Sequence, residues 1–146
     1  GGRARALRYR IWAGNARPGL GWDQGWWYNG HLDAELMDKA AQALVGEHDF
    51  KSFCMAASAE GKPTHRNVRE ISFHPETVMG ENLMSIKVVG NAFLHSMVRT
   101  IVGTLVMVGK GQRDADWVGE VLEACDRRVA GENAPAQGLV FWRVIY

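Results

Sequence analysis

Alternation of apolar and polar positions is the first signal in the chain. The stretch RALRYRIW, residues 5–12, puts Leu7, Tyr9 and Ile11 on one face and Arg8 and Arg10 on the other. That is the pattern of a half-buried strand with a basic outer face. Helical spacing follows in AELMDKAAQALV, with Leu36, Met37, Ala40, Ala41 and Leu44 as its stripe, Asp33 as N-cap and Gly46 as stop. Strands are expected for NVREISFH and LMSIKVV, separated by a turn near Pro75 and Gly80. GNAFLHSMVRTIVGTLVMVGKG is apolar almost all round, which predicts a buried helix over Ala92 to Val108, broken only by His95 and Arg99. A last helix is expected from about Asp116 to Val129, with Trp117, Val121, Leu122 and Cys125 inward, and GLVFWRVIY closes the chain as a strand. NARPGLGWDQGWWYNGH and the stretch around Lys62 are expected to be loops.

Strands mixed with helices, without a strict βαβ rhythm, predict an α+β fold: a mostly antiparallel sheet with helices packed on one face. With 146 residues, 47% of them hydrophobic, the chain fits a single domain over 1–146 with a real core. A net charge of +1 neither demands nor excludes a nucleic-acid partner. Its distribution says more. Arg3, Arg5, Arg8, Arg10 and Arg17 precede any acidic residue, and Lys62, His65, Arg66 and Arg69 form a second basic cluster. Cys54 and Cys125 are too far apart for a Cys-x-x-Cys motif and are expected to be reduced. The longest apolar run, Ile101 to Val108, is too short to cross a bilayer, so no membrane association is expected. The chain opens Gly1-Gly2 without a methionine and enters a strand almost at once, as a fragment of a longer protein would.

Several chemistries fail on spacing. GTLVMVGKG has Gly111 where a phosphate loop needs Ser or Thr, and it ends a helix rather than starting one. The five histidines lack a His-x-x-x-His spacing, so no metal site is expected, and no Gly-x-Ser-x-Gly is present. Basic and aromatic groups survive. His95 and Arg99 fall at i and i+4, on one expected helix face with Val102 and Val106. Arg99 cannot escape burial by losing its charge, so it needs an anion: a distant structural carboxylate, or a catalytic carboxylate or phosphate. By periodicity Tyr9 is a core tyrosine, yet an aromatic between two arginines is also how proteins stack an unpaired base. The same choice applies to Trp22, Trp26 and Trp27, and KPTHRN is either a solvated basic loop or a phosphate-positioning one.

These pieces, in this order, resemble the C-terminal half of the TruA-type tRNA pseudouridine synthases. The similarity is carried by RYR in the first strand, LDAELMDKAAQALVGEHDFKSF, PTHRNV, GNAFLHSMVRTIVGTLVMVGKG and APAQGLVFWRVIY. It implies isomerisation of uridine to pseudouridine in the tRNA anticodon stem-loop, without cofactor or metal, by a cytoplasmic homodimer. An aspartate in a Gly-Arg-Thr-Asp motif attacks the flipped-out nucleotide in that family. By resemblance, Tyr9 falls on the active-site tyrosine that packs on the base and is a candidate for the C5 proton step. Arg99 falls on the arginine paired with the catalytic aspartate. Phe93 and His95 belong to the same motif, and Leu139 falls on an apolar residue lining the uracil pocket. Arg8, Arg10 and Arg66 are the expected RNA contacts. Ile11 stands where the family often has a second tyrosine, and Gly-Arg-Thr-Asp occurs nowhere in the chain. The expectation is therefore a domain that supplies a cleft wall and an RNA-binding surface and is inactive alone. The alternative is a stand-alone RNA-binding module or a catalytically dead relative.

Overall fold

The computed structural model describes residues 3–19, 22–94 and 96–145. Strand β1 (Ala4–Gly14) organises the sheet. Along one edge it pairs with β5 (Glu81–Gly90), antiparallel. Its other edge is divided between two partners. β6 (Leu139–Ile145) runs antiparallel to Ala4–Tyr9, and β2 (Trp26–Asn29) runs parallel to Ile11–Gly14. Beyond β5 the sheet continues through β4 (His65–Val78) to β3 (Gly46–Asp49), both pairings antiparallel. One parallel pairing in a six-stranded sheet leaves the expected α+β, mostly antiparallel architecture intact.

Register decides which side chains share a face, because successive residues of a strand point to opposite sides. Tyr9 lies opposite Ile86 and Ile86 opposite Phe73, while Leu7, Val88 and Ile71 form the next row. Onto this face pack α1 (Ala34–Ala41), α3 (Met97–Gly109) and α4 (Trp117–Ala124), with Met37, Ala40, Ile101, Leu105, Val118 and Val121 completing one continuous core. A single short turn of helix, α2 (Ala56–Ala59), lies before β4. Arg8, Arg10, Ser85, Lys87 and Glu76 occupy the other face.

The structure shifts several expected boundaries, each for a local reason. Asp33 caps α1 through Leu36 N–H at 3.1 Å, but the helix tightens after Ala41 into a 3-10 turn, Gln42–Leu44. Gly46, at φ 113°, then starts the unexpected strand β3. Pro75 sits inside β4 rather than at a turn. β3 pairs only with His65–Val68, so at Pro75 the outer edge of β4 has no strand that needs an N–H. The chain turns instead at Met79 and Gly80. Trp26 and Trp27, expected in a loop, form β2. Helix α3 begins at Met97 instead of Ala92, because Asn91 is tied to β4 through Asn67 and Ser96 takes a left-handed backbone. The expected i, i+4 stacking of His95 on Arg99 involves His95, which lies outside the described residues. Helix α4 stops at Ala124, where Cys125 turns left-handed and Asp126 caps a separate 3-10 turn. Cys54 and Cys125 are free thiols. Among the described residues no helix is long and apolar enough to cross a membrane.

Candidate functional site

Helix α3 carries a stripe of small and hydroxyl residues through an otherwise apolar sequence. Thr100, Gly103 and Thr104 recur at helical spacing and face the segment that leads into β6. Thr100 Oγ1 donates to Asn133 Oδ1 at 2.6 Å, and the Gly131 N–H donates to Thr104 Oγ1 at 3.0 Å. Contact here is backbone on backbone: a Cβ on Gly103 would overlap the Glu132 carbonyl, and one on Gly131 would lie 2.8 Å from the Gly103 oxygen. Glycine is required for so close an approach.

Seated in this way, the segment offers two successive carbonyls to the two residues singled out in the sequence. The Ala134 carbonyl accepts from Arg99 Nε at 2.7 Å, and the Ala134 N–H returns a bond to the Arg99 carbonyl at 3.0 Å. The Pro135 carbonyl accepts from the Tyr9 hydroxyl at 2.5 Å. Gly138 lies against the hydroxyl end of the Tyr9 ring, where a Cβ would come 2.5 Å from Cζ. Trp26 meets the same ring edge-on, with centroids 6.4 Å apart.

Tyr9 is completely buried. Burial raises its pKa well above the ordinary tyrosine value, and the Arg99 charge opposes that only in part. At neutral pH the hydroxyl is therefore a proton donor. The ring offers no face to solvent while Pro135–Gly138 stays in place.

Arg99 is half-buried in the first turn of α3. With Nε held by Ala134, its two terminal nitrogens have no hydrogen-bond partner, and its guanidinium no carboxylate within ion-pair distance, among the described residues. The turn contains no acidic residue and the Ser96 side chain does not cap it, so the positive end of the helix adds to the arginine charge. Both features favour an anion at this point.

Leu139 joins the pair directly, since it lies opposite Tyr9 in the β1–β6 ladder. Phe93 is half-buried against Gly90, which pairs with Arg5 rather than Tyr9. The two rows are separated by four strand residues, about 13 Å. Arg8 and Arg10 flank Tyr9 in sequence but project to the opposite face. There they share Glu76 at 3.3 and 3.0 Å, and Ser85 hydrogen-bonds the same carboxylate. The expected basic face of β1 is thus partly neutralised by a residue from β4. Arg66 lies two strands from β1 and farther along the sheet, its Nη1 bonded to the His65 and Pro63 carbonyls. Tyr9, Arg99 and Leu139 come together, Arg8 and Arg10 lie on the opposite face of the sheet, and Phe93 packs beside Gly90 against the same core.

Sequence periodicity did not point to Thr100, Thr104, Gly103 or Asn133. The available signal was a glycine and two threonines interrupting an apolar helix, a stripe that a helix uses to receive a close backbone.

Comparison with known proteins decides the family. Residues 40–146 match the family described as tRNA pseudouridine synthase. The chain belongs to that family. It is 43% identical over 144 residues to tRNA pseudouridine synthase A of Stenotrophomonas maltophilia, covering 99% of this chain and 54% of that protein. Against the proteins of the same name from Xanthomonas oryzae pv. oryzae and Xanthomonas campestris pv. campestris, identity is 44% and 42% over the same coverage. The chain thus spans about half the length of the curated relatives it matches.

Proposed function

We propose that this chain is the C-terminal half of a TruA-type tRNA pseudouridine synthase and forms one wall of the cleft where an anticodon stem-loop uridine is isomerised. The observation that carries the assignment is the meeting of Tyr9, Arg99 and Leu139 around Ala134–Pro135, at positions the family resemblance selects independently.

In this reading the attacking carboxylate comes from the remainder of the enzyme, since the chain holds no Gly-Arg-Thr-Asp. Arg99 meets it with its terminal nitrogens and keeps it ionised, as a paired guanidinium does. Isomerisation conserves atoms and electrons, so no redox partner is needed. Leu139 and Phe93 supply apolar wall, while Arg66 and the Arg8–Arg10 pair bear on phosphates. Tyr9 acts first as a buried donor. Direct packing of a base on its ring requires Pro135–Gly138 to shift. Service in the C5 proton step further requires the hydroxyl to lose the burial that keeps it neutral. The complete enzyme works in the cytoplasm as a homodimer and holds tRNA between its subunits.

The test is direct. This chain, incubated with unmodified tRNA, forms no pseudouridine but binds an anticodon stem-loop with an affinity that falls steeply with salt. Pseudouridine formation by the chain alone would refute the division of labour proposed here. Absence of salt-dependent binding would remove its RNA surface.

A further inference from the structure

We propose that Thr100 and Asn133 are positioning residues that determine which edge of the Arg99 guanidinium is offered to its anion. The proposal rests on the assignment of Arg99 above and adds the device that aims it. A guanidinium can grip a carboxylate through its Nε side or through its two terminal nitrogens. Here the Ala134 carbonyl occupies Nε, which leaves the end-on mode.

Ala134 is held there by the turn of α3 beneath it. Its N–H returns to the Arg99 carbonyl, so one residue contacts both the main chain and the side chain of Arg99. Next to it, Asn133 Oδ1 accepts from the fully buried Thr100 hydroxyl at 2.6 Å and from Arg127 Nη2 at 3.3 Å. The Thr100 hydroxyl has one proton. Asn133 is its nearest acceptor, with the Ser96 carbonyl at 2.9 Å as the other. Without this clamp the side-chain link nearest Ala134 is lost, leaving its main-chain bond to Arg99 and the more distant Gly131–Thr104 and Pro135–Tyr9 bonds, and the Ala134 carbonyl holds Nε less firmly. Neither Thr100 nor Asn133 contacts Arg99 Nε or Tyr9 by hydrogen bond, so the two act through Ala134, whose carbonyl aims Arg99.

Thr100→Val, Thr100→Ser and Asn133→Ala in the full-length enzyme test this. Thr100→Val and Asn133→Ala should lower kcat by about 10- to 100-fold, the usual consequence of misplacing a catalytic group by an ångström or less. KM for tRNA should stay within about twofold, and Thr100→Ser should restore the rate. In this chain alone, the Arg99 Nε–H proton should exchange slowly with solvent in the parent and Thr100→Ser forms, and fast in Thr100→Val. Wild-type turnover in Thr100→Val, no rescue by serine, or unchanged exchange at Nε overturns the proposal. Arg99→Lys is the separate control. Normal turnover in that variant would remove the role assigned to Arg99, while the exchange measurement still decides whether Thr100 positions it.

Discussion

Tyr9 and Arg99, one from the first strand and the other from the central helix, are anchored to adjacent carbonyls of one peptide segment. Pro135 takes the hydroxyl at 2.5 Å and Ala134 takes Nε at 2.7 Å. The two side chains are therefore not independent. Any displacement of Ala134–Pro135 releases a buried phenol and a guanidinium together, and both would then seek new partners.

Arg99→Ala in the full-length enzyme should lower turnover by at least about 100-fold, the scale of losing one preorganised charge partner in an active site. Binding of tRNA should be largely retained, because phosphate contacts elsewhere carry it. Mass-spectrometric detection of pseudouridine checks the rate, and near-normal turnover would count against the role.

Gly103→Ala replaces glycine inside a helix by the best helix former, which in isolation gains about 1 kcal/mol. Here the added methyl overlaps the Glu132 carbonyl, and a backbone cannot swing aside as a side chain can. Overpacking of this kind costs about 1–3 kcal/mol or more, so the expected net effect is a loss of stability. Urea unfolding of this chain measures it; a rise in the midpoint would show that the segment is not seated on α3.

Tyr9→Phe should slow the reaction while sparing tRNA binding, and should cost about 1–2 kcal/mol by leaving the Pro135 carbonyl without its donor. Parallel loss of rate and binding would instead indicate misfolding. The pH dependence has a definite sign. Burial raises the Tyr9 pKa, so the folded chain keeps its proton where the unfolded chain, ionising near about 10, has lost it. That contribution is fully present below pH about 10 and is lost as pH rises above it. Stability measured from pH 8 upward should fall more steeply in the parent than in Tyr9→Phe.

Glu76→Gln removes the carboxylate shared by Arg8 and Arg10. Hydrogen bonds to charged groups contribute about 1.5–3 kcal/mol each in favourable settings, so a destabilisation of about 2 kcal/mol is expected. Loss of this negative charge beside the two arginines should also strengthen RNA binding and steepen its salt dependence, by up to about 0.7–0.9 in slope for each new phosphate contact. An unchanged slope would place both arginines outside the RNA surface.

Local pattern was enough to identify β1, the two long central strands, the Asp33-capped helix and the apolar character of α3, because each is written in neighbouring residues. The strands that local pattern does not announce, β2 and β3, are four residues each and exist only through their partners: β2 through Ile11–Gly14, β3 through His65–Val68. Likewise the start of α3 depends on Asn91 being tied to Asn67 in β4, which no periodicity within the helix records. The basic face of β1 looked unopposed for a similar reason, since Glu76 belongs to a strand far along the chain.

By itself the sequence determined the fold class, because local spacing carries that information; residue type and spacing drew attention to Tyr9 and Arg99, and only the resemblance to a family pointed to Leu139. Tertiary structure alone decided how they meet. Only the folded chain brings Ala134–Pro135 against both residues, buries Tyr9 behind Gly138 and turns Arg8 and Arg10 to the other face onto Glu76. The physical reason is that these outcomes depend on strand register, and on backbone atoms that every residue possesses. A main-chain carbonyl has no signature in the alphabet of side chains, yet here two of them hold the site.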